Sequence, residues 1–331
     1  MRIGVLAPLG SPLTEPFVGG LEKHTVELVR GLVRAGHRVT LFAHPEVPTL
    51  AGIRVVQCTE GYRRTLRRLG TYPLDILHNN TLHPLPTLLA PALPCPVVTT
   101  LHTPPYRRLR PGGWGSRWTR RSQLVAISGS VADDWRGVAG RVPVVYNGVE
   151  LGAYSFGAVP VPRTAIWYGR IIREKAPHLA IRAARLAGYS LQFAGPVQQA
   201  DYFRTEVQPL LGEGAHYLGH LTQQELFSYL RTAAVGLVTP VWREPFGLVV
   251  PELLASGVPI AGFAAGAVPE LVDDRVARLV EVGDVTALAT AIHQAAALDR
   301  QSCRTYALER FSIDRMIADY TACYHRILHH P

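Results

Sequence analysis

The sequence predicts an α/β protein of two domains, each a doubly wound parallel sheet with helices on both faces. Short apolar runs recur along the whole chain and alternate with stretches of helical spacing, the pattern of parallel sheets. A Gly/Pro-rich segment with Gly152, Gly157, Pro160 and Pro162 interrupts that alternation near the middle. A chain of 331 residues also exceeds one ordinary core and suits two.

In the first half the strand-like runs are Ile3–Pro8, Arg38–Ala43, Arg54–Gln57, Leu74–His78, Val97–Leu101, Leu124–Ile127 and Val142–Tyr146. Between the first two, Leu21–Gly36 has helical spacing. Leu21, Val26, Leu28, Val29, Leu32 and Val33 face inward, and Gly36 ends the run. The loop after the first strand, Leu9 to Val18, closes on Gly19-Gly20 at the start of that helix. Two glycines there let a phosphate approach the backbone and the helix N-terminus, or they are ordinary loop glycines. They form no dinucleotide fingerprint: no G-x-G-x-x-G follows the strand, and Phe42-Ala43-His44 ends the second strand without an acid. A nicotinamide oxidoreductase is thereby disfavoured. His102, within Thr99-Thr100-Leu101-His102-Thr103-Pro104, stands at the carboxyl end of a strand, where open α/β sheets bind ligands. It is a site candidate or a structural histidine. His78, Asn79 and Asn80 follow another strand in the same way and are weaker candidates for the same cleft.

Charge is uneven. Residues 1–150 hold 18 Lys/Arg against 9 Asp/Glu, so the whole formal charge of +9 lies in the first half. Two stretches concentrate it: Arg63, Arg64, Arg67 and Arg68 at helical spacing, and Arg107, Arg108, Arg110, Arg117, Arg120 and Arg121 interleaved with Trp114 and Trp118. They are a solvated basic face in an arginine-biased chain, or a contact for an anionic membrane surface or a phosphate-bearing acceptor. Nucleic acid is not expected, because no recognised binding module accompanies the charge. The apolar content of 47% describes a globular chain. Met1–Ala7 reads as a strand and not as a secretion signal. The run Phe246–Val268 is interrupted by Pro251, Glu252 and Pro259, which argues against a membrane span. Cys58, Cys95, Cys303 and Cys323 lack metal-ligand spacing and suit buried thiols in a reducing cytosol. His329-His330 reads as a tail.

The second half begins with a strand at Thr164–Tyr168, then Gly169-Arg170-Ile171-Ile172-Arg173-Glu174-Lys175 and a helix over His178–Ala187. Arg170 and Lys175 flank a strand-to-helix loop. A guanidinium fork and an ammonium point charge there are complementary ligands for a pyrophosphate. The chain has only two lysines, Lys23 and Lys175, and one of them falls at this loop. Arg173 reads as a solvated neighbour. Later strands are Leu191–Ala194, His216–Leu218, Val235–Thr239, Pro259–Phe263 and Arg278–Val282; at Gly195-Pro196 and Gly219-His220 a flat base can lie against backbone.

The stretch Thr239–Gly257 is the centre of the chain: strand end, loop, then a helix over Leu248–Ala255 stopped by Gly257. It places Glu244 before the helix and Glu252 within it, with Phe246-Gly247 between. Carboxylates suit the hydroxyls of a polyhydroxyl ligand, and helix amides suit its phosphate. Solvated surface charge is the alternative. Glu270, after Gly266-Ala267-Val268-Pro269, is a helix-end charge or a ligand. Ser312–Leu328 closes the chain as an amphipathic helix, with Ile313, Met316, Ile317, Tyr320, Tyr324 and Ile327 on one face and Ser312 as its cap.

In this order Gly19-Gly20, His102, Asn147-Gly148-Val149, Gly169-Arg170 with Lys175, Glu244-Pro-Phe-Gly with Glu252, and Gly266–Glu270 resemble the retaining glycosyltransferases of family 4, whose mark is Glu-x7-Glu. The resemblance covers nearly the whole chain. It implies the GT-B fold: two Rossmann-like domains facing a cleft, here 1–152 and 153–311, with the last helix, 312–331, crossing back to the first. It implies transfer of a sugar from a nucleotide-diphosphate sugar to an acceptor hydroxyl, on a lipid-linked or glycan acceptor, without metal or cofactor. Arg170 and Lys175 would hold the diphosphate, and Glu252 the ribose. Glu244 and the amides around Phe246, Gly247 and Leu248 would hold the sugar hydroxyls. Gly19 and Gly20 would approach the phosphate, and His102 would lie beside the transferred sugar or the acceptor. Departures are Leu253-Leu254 where the family often has Ala-Met, Ala267 where a second glycine is common, and a short chain. A nucleotide-sugar epimerase and a non-catalytic nucleotide-sugar-binding protein remain as alternatives. The expected location is the cytoplasm, peripheral on the inner face of the membrane.

Overall fold

The computed structural model describes residues 1–48, 50–117 and 119–329. Trp118 and His330 therefore lie outside the described residues. The chain divides into two compact units, Met1–Gly148 with the segment from Ile313 onward, and Val149–Ser312.

The first unit carries β1 (Arg2–Leu6), β2 (Arg38–Ala43), β3 (Ile53–Gln57), β4 (Ile76–Asn79), β5 (Val97–Leu101) and β6 (Ser122–Ala126) in the order β3-β2-β1-β4-β5-β6. The second carries β7 (Thr164–Tyr168), β8 (Ser190–Ala194), β9 (Ala215–Tyr217), β10 (Val235–Val238), β11 (Ile260–Phe263) and β12 (Ala277–Val280) in the order β12-β11-β10-β7-β8-β9. Every pairing in both sheets is parallel. Read from its own first strand, each sheet has the same 3-2-1-4-5-6 order of a dinucleotide-binding half-sandwich. The order reverses between β1 and β4 in one unit and between β7 and β10 in the other. Ligands of open sheets bind at such reversals, outside the carboxyl ends of the strands.

Core formation follows the apolar pattern. In the first unit Ile3, Val5, Leu41, Val98 and Val125 meet Val26, Leu28, Val29 and Leu32 of the helix Gly20–Arg34. Leu21 and Val33, expected inside, are only half-buried, while Lys23, His24 and Thr25 are buried instead. The final helix, Ile313–His329, belongs to this same unit and lays Ile313, Met316, Ile317, Tyr320, Cys323, Tyr324 and Ile327 on its core. Burial of each such side chain contributes roughly 1.5–3 kcal/mol, so the helix supplies a large share of the unit's stability. The expected strand at Val142–Tyr146 is not one. Val144 makes a single bridge to Ala126, flanked by Ala126 N–H to Pro143 O and Val145 N–H to Ala126 O. Pro143 has no N–H to extend the ladder.

In the second unit Ala165, Trp167, Phe193, Leu237 and Phe263 pack under the helices Pro177–Leu186 and Val285–Ala296. The unit starts at Val149, whose N–H bonds Phe311 O, a few residues before the Gly/Pro-rich segment. Arg300, 8% exposed, sits among backbone carbonyls, donating to those of Gly157 and Ala233.

Candidate functional site

The strand order lifts the loops after β7 and β10 side by side. After β7 the chain makes a tight turn over Arg173–Lys175, and Ala176 adopts a left-handed backbone at φ 46°, before Pro177 opens the next helix. A non-glycine residue in that region is costly and persists where its surroundings hold it. Here the hold is visible. Thr239 Oγ1, at the end of β10, donates to the carbonyls of Lys175 and Ala176 at 3.1 and 3.3 Å, and accepts from Trp167 Nε1 at 3.1 Å. Val241 N–H donates to Glu174 O at 2.9 Å.

This lacing brings Lys175 to Glu244. The ammonium donates to Glu244 Oε2 at 2.5 Å, and Trp242 Nε1 donates to the same oxygen at 2.9 Å, with Lys175 Nζ 5.8 Å from the Trp242 ring centroid. Glu244 is 6% exposed, so its charge depends on these donors and is no solvated surface charge. Gly266, at φ 57°, stands behind it. A Cβ there would lie 2.3 Å from the Glu244 backbone, and Ala267 N–H donates to Glu244 O at 2.8 Å.

Eight residues on, Glu252 lies inside the helix Val249–Ala255 and is 4% exposed. Tyr168, at the end of β7, donates its hydroxyl to Glu252 Oε2 at 2.8 Å. Burial, and then the Glu252 charge, hold the Tyr168 hydroxyl well above its ordinary pKa, so it stays a donor. Phe246 is buried against Phe311, with ring centroids 6.4 Å apart. Gly247 turns at φ 85°, and Leu248 is half-buried at the helix start, where no side chain caps the first amides. Arg170 reaches Gln198 at 3.4 Å and makes no ion pair among the described residues. Arg173 is engaged elsewhere, paired with Glu206 and over the Tyr202 ring. At Gly195 the backbone of β8 passes so close to Gly169 that a Cβ would sit 1.9 Å from Gly169 O. Glycine is required there by space.

The first unit's candidates separate. Gly19 is an extended N-cap without a side-chain hydrogen bond, and Gly20 opens the helix, exposed. Neither needs positive φ; what they provide is open backbone. His102 Nε2 meets Asn80 Oδ1 at 2.6 Å. His78 and Asn79, expected to line a cleft, do not. Both are 0% exposed, and β4 is sandwiched between neighbouring strands and the last helix. His78 is tied to Tyr324 Oη at 2.5 Å and Thr100 Oγ1 at 2.8 Å, and Asn79 to Thr81 and Thr99. Burial holds the His78 imidazole down at about 3. Tyr168, Trp242 and His24 are the functional candidates that the sequence did not single out. Trp242 sits inside the central stretch beside Glu244, which was the available signal.

The arginine stretches remain outside this site. Arg63, Arg64, Arg67, Arg107, Arg108, Arg117, Arg120 and Arg121 are exposed, as are Arg68, paired with Glu60, and Arg110, bonded to Pro105 O. Cys58, Cys95, Cys303 and Cys323 are all free and buried. Among the described residues no helix is long and apolar enough to cross a membrane.

Residues 18–152 match the family model described as Glycosyltransferase Family 4, and residues 162–297 that described as Glycosyl transferases group 1. Glycogen synthase of Mycobacterium tuberculosis is 27% identical over 324 residues, covering 77% of each chain. AviGT4, a glycosyltransferase involved in avilamycin A biosynthesis, has the same fold at a TM-score of 0.79 and 22% identity, covering 100% of this chain and 98% of that one. Anabaena Alr3699/HepE, solved in complex with UDP-glucose, matches at a TM-score of 0.77 and 19% identity, covering 98% and 100%. Two doubly wound halves with these family matches define a glycosyltransferase of the GT-B type. The chain belongs to glycosyltransferase family 4.

Proposed function

We propose that the protein moves a sugar from a nucleotide-diphosphate sugar to an acceptor hydroxyl, with retention of anomeric configuration and without metal or cofactor. What supports this above all is Lys175 held at 2.5 Å from a buried carboxylate at the reversal point of the second sheet. A diphosphate entering there competes with Glu244 for the ammonium, and Arg170, whose guanidinium meets Gln198 at 3.4 Å, adds a guanidinium fork. Both cations offset the charge that grows on the diphosphate as the sugar leaves. The departing phosphate then takes the acceptor's proton, so no protein base is required. Glu252, oriented by Tyr168, receives the ribose hydroxyls. Glu244 and the amides of Phe246, Gly247 and Leu248 receive those of the sugar. Gly195 offers flat backbone to the base. HepE, of the same fold, holds UDP-glucose, which makes UDP-sugars the first donors to try.

The test is a thermal-shift panel of UDP, GDP, ADP and TDP with EDTA present, followed by proton NMR of the anomeric centre of the product. One nucleotide at 100 times its Kd should stabilise the fold by about 2.7 kcal/mol. A shift that appears only when a divalent ion is restored, or an inverted product, would overturn the reading.

The same enzyme works in the cytoplasm, peripheral on the inner face of the membrane. Four free thiols favour a reducing compartment. The helices Gly61–Arg68, Pro84–Leu89 and Arg110–Ser116 pack in series, so their exposed arginines share a region with Leu88, Leu89 and Trp114, which are 41%, 40% and 51% exposed. Arginine around exposed apolar side chains fits an anionic lipid surface. Sedimentation with phosphatidylserine vesicles should be strong at low salt and fall at physiological salt. Equal binding to neutral vesicles, or none at low salt, would remove the membrane from the account.

A further inference from the structure

The carboxylate of Glu244 is held unevenly. Lys175 Nζ and Trp242 Nε1 both donate to Oε2, at 2.5 and 2.9 Å, while Oε1 accepts from no group among the described residues. The ammonium alone satisfies that oxygen in a static pair, so the indole is a redundant donor for as long as Lys175 stays. The other contacts of Glu244 fix its backbone and not its carboxylate: Ala267 N–H donates to Glu244 O at 2.8 Å, and Gly266 lies against the main chain.

Trp242 also touches the other member of the pair. The ammonium lies 5.8 Å from its ring centroid, within cation–π range. The two donors differ in what draws them away. Lys175 ends a flexible four-carbon stem, its side chain is 22% exposed, and a second anion competes for its charge. The indole N–H is an uncharged donor on a rigid, half-buried ring, for which a phosphate competes far less. Lys175 is therefore able to leave Oε2 without removing its last donor. An ammonium that moves to a diphosphate beside Glu244 remains near as a charge. The carboxylate, 6% exposed, still needs a hydrogen bond.

We propose that Trp242 is a positioning residue for the transfer: its N–H keeps Glu244 Oε2 bonded, and Oε1 open to a sugar hydroxyl, while Lys175 changes partner from Glu244 to the donor's diphosphate. That role rests on the transferase reading, in which Lys175 meets the diphosphate. The indole N–H then matters in the complex, where the ammonium has left Oε2, and is nearly idle in the free protein.

The test is calorimetric titration of the full chain with inorganic pyrophosphate, on the wild type, Trp242→Phe, Glu244→Gln and the double variant, with melting temperatures of the free proteins. Phenylalanine keeps a ring face for the ammonium and removes the N–H. Trp242→Phe should bind pyrophosphate about tenfold more weakly, the size of one hydrogen bond to a charged group, and melt close to the wild type. Glu244→Gln frees Lys175 from a competing charge and should bind pyrophosphate more tightly than the wild type. In the Glu244→Gln background, adding Trp242→Phe should leave the affinity unchanged. In 15N-edited spectra the Trp242 indole resonance, identified by its absence from Trp242→Phe, should move as pyrophosphate draws the ammonium off the ring, and stay protected from solvent exchange. Failure of the wild type to bind pyrophosphate would sink the diphosphate clamp and this role together. Three results would overturn the role of Trp242 and leave the clamp standing: an equal loss of affinity in both backgrounds, a Trp242→Phe protein that melts much lower with unchanged affinity, or an indole N–H that opens to solvent in the complex.

Discussion

Lys175→Ala is expected to lose transfer by about 10²–10³-fold, the effect of removing one preorganised group that stabilises developing negative charge. It also strands Glu244, 6% exposed, with Trp242 Nε1 as its remaining side-chain donor among the described residues. Breaking a buried pair from one side costs about 3–5 kcal/mol, and the lower end applies because the Lys175 side chain is 22% exposed. The loss of activity and the loss of stability separate in a double variant. Lys175→Ala with Glu244→Gln removes the stranded charge, so the melting temperature should largely recover while transfer stays absent. Denaturation curves and initial rates on the two single variants and the double give the answer. If activity returned together with stability, Lys175 would act by holding the loop and not on the diphosphate.

The second large effect is acid lability centred on the first unit. His24 and His78 are held neutral by burial at about 4 and about 3, and burial pushes His102 down as well. Above an unfolded value near 6.5 both states are neutral and the histidines are neutral to stability. Below it the unfolded chain takes protons that the folded chain refuses until the folded values are reached. Stability is therefore lost as pH falls from about 6.5 toward 4. Each such group removes up to about 1.4 kcal/mol per pH unit across that window. His24 and His78 together over two units reach on the order of 5 kcal/mol, near the lower end of a domain's whole stability, and His102 acts in the same direction. Hydrogen exchange at pH 7 and pH 5, corrected for the intrinsic rate, should show protection lost first in peptides from residues 1–148 and 313–329. A melting temperature that stays flat between pH 7 and 5 would contradict this.

Much of the architecture was legible because local pattern and burial agree. Arg38–Ala43, Val97–Leu101 and Thr164–Tyr168 are strands at the expected residues, since each is a short apolar run. Lys175 and Glu244 were legible as chemistry but not as a pair, because sequence spacing does not reveal a contact 69 residues apart. His78 shows the limit more sharply. Placed after a strand it reads as a ligand, yet its partner Tyr324 lies 246 residues away and makes it core. His24 failed in the opposite direction. It occupies a position that reads as a polar helix face, yet it is 1% exposed, with the His102 ring edge-on to it at 5.1 Å. Val142–Tyr146 misled because an apolar run is necessary for a strand but Pro143 lacks the N–H a ladder needs.

The last helix has a consequence for how the protein is made. Residues 149–312 leave the ribosome before Ile313–His329 does, yet that helix supplies Tyr320 and Tyr324 to the core of the unit synthesised first. While the second unit is being translated, the apolar face that will receive Ile317, Tyr320 and Tyr324 is uncovered, and His78 lacks its Tyr324 hydroxyl. Seven buried side chains at roughly 1.5–3 kcal/mol each are withheld until Ile313–His329 has been translated. The nascent first unit is then a client for chaperones. A ribosome stalled after residue 312 should carry a first unit open to protease, and releasing the remaining residues should close it.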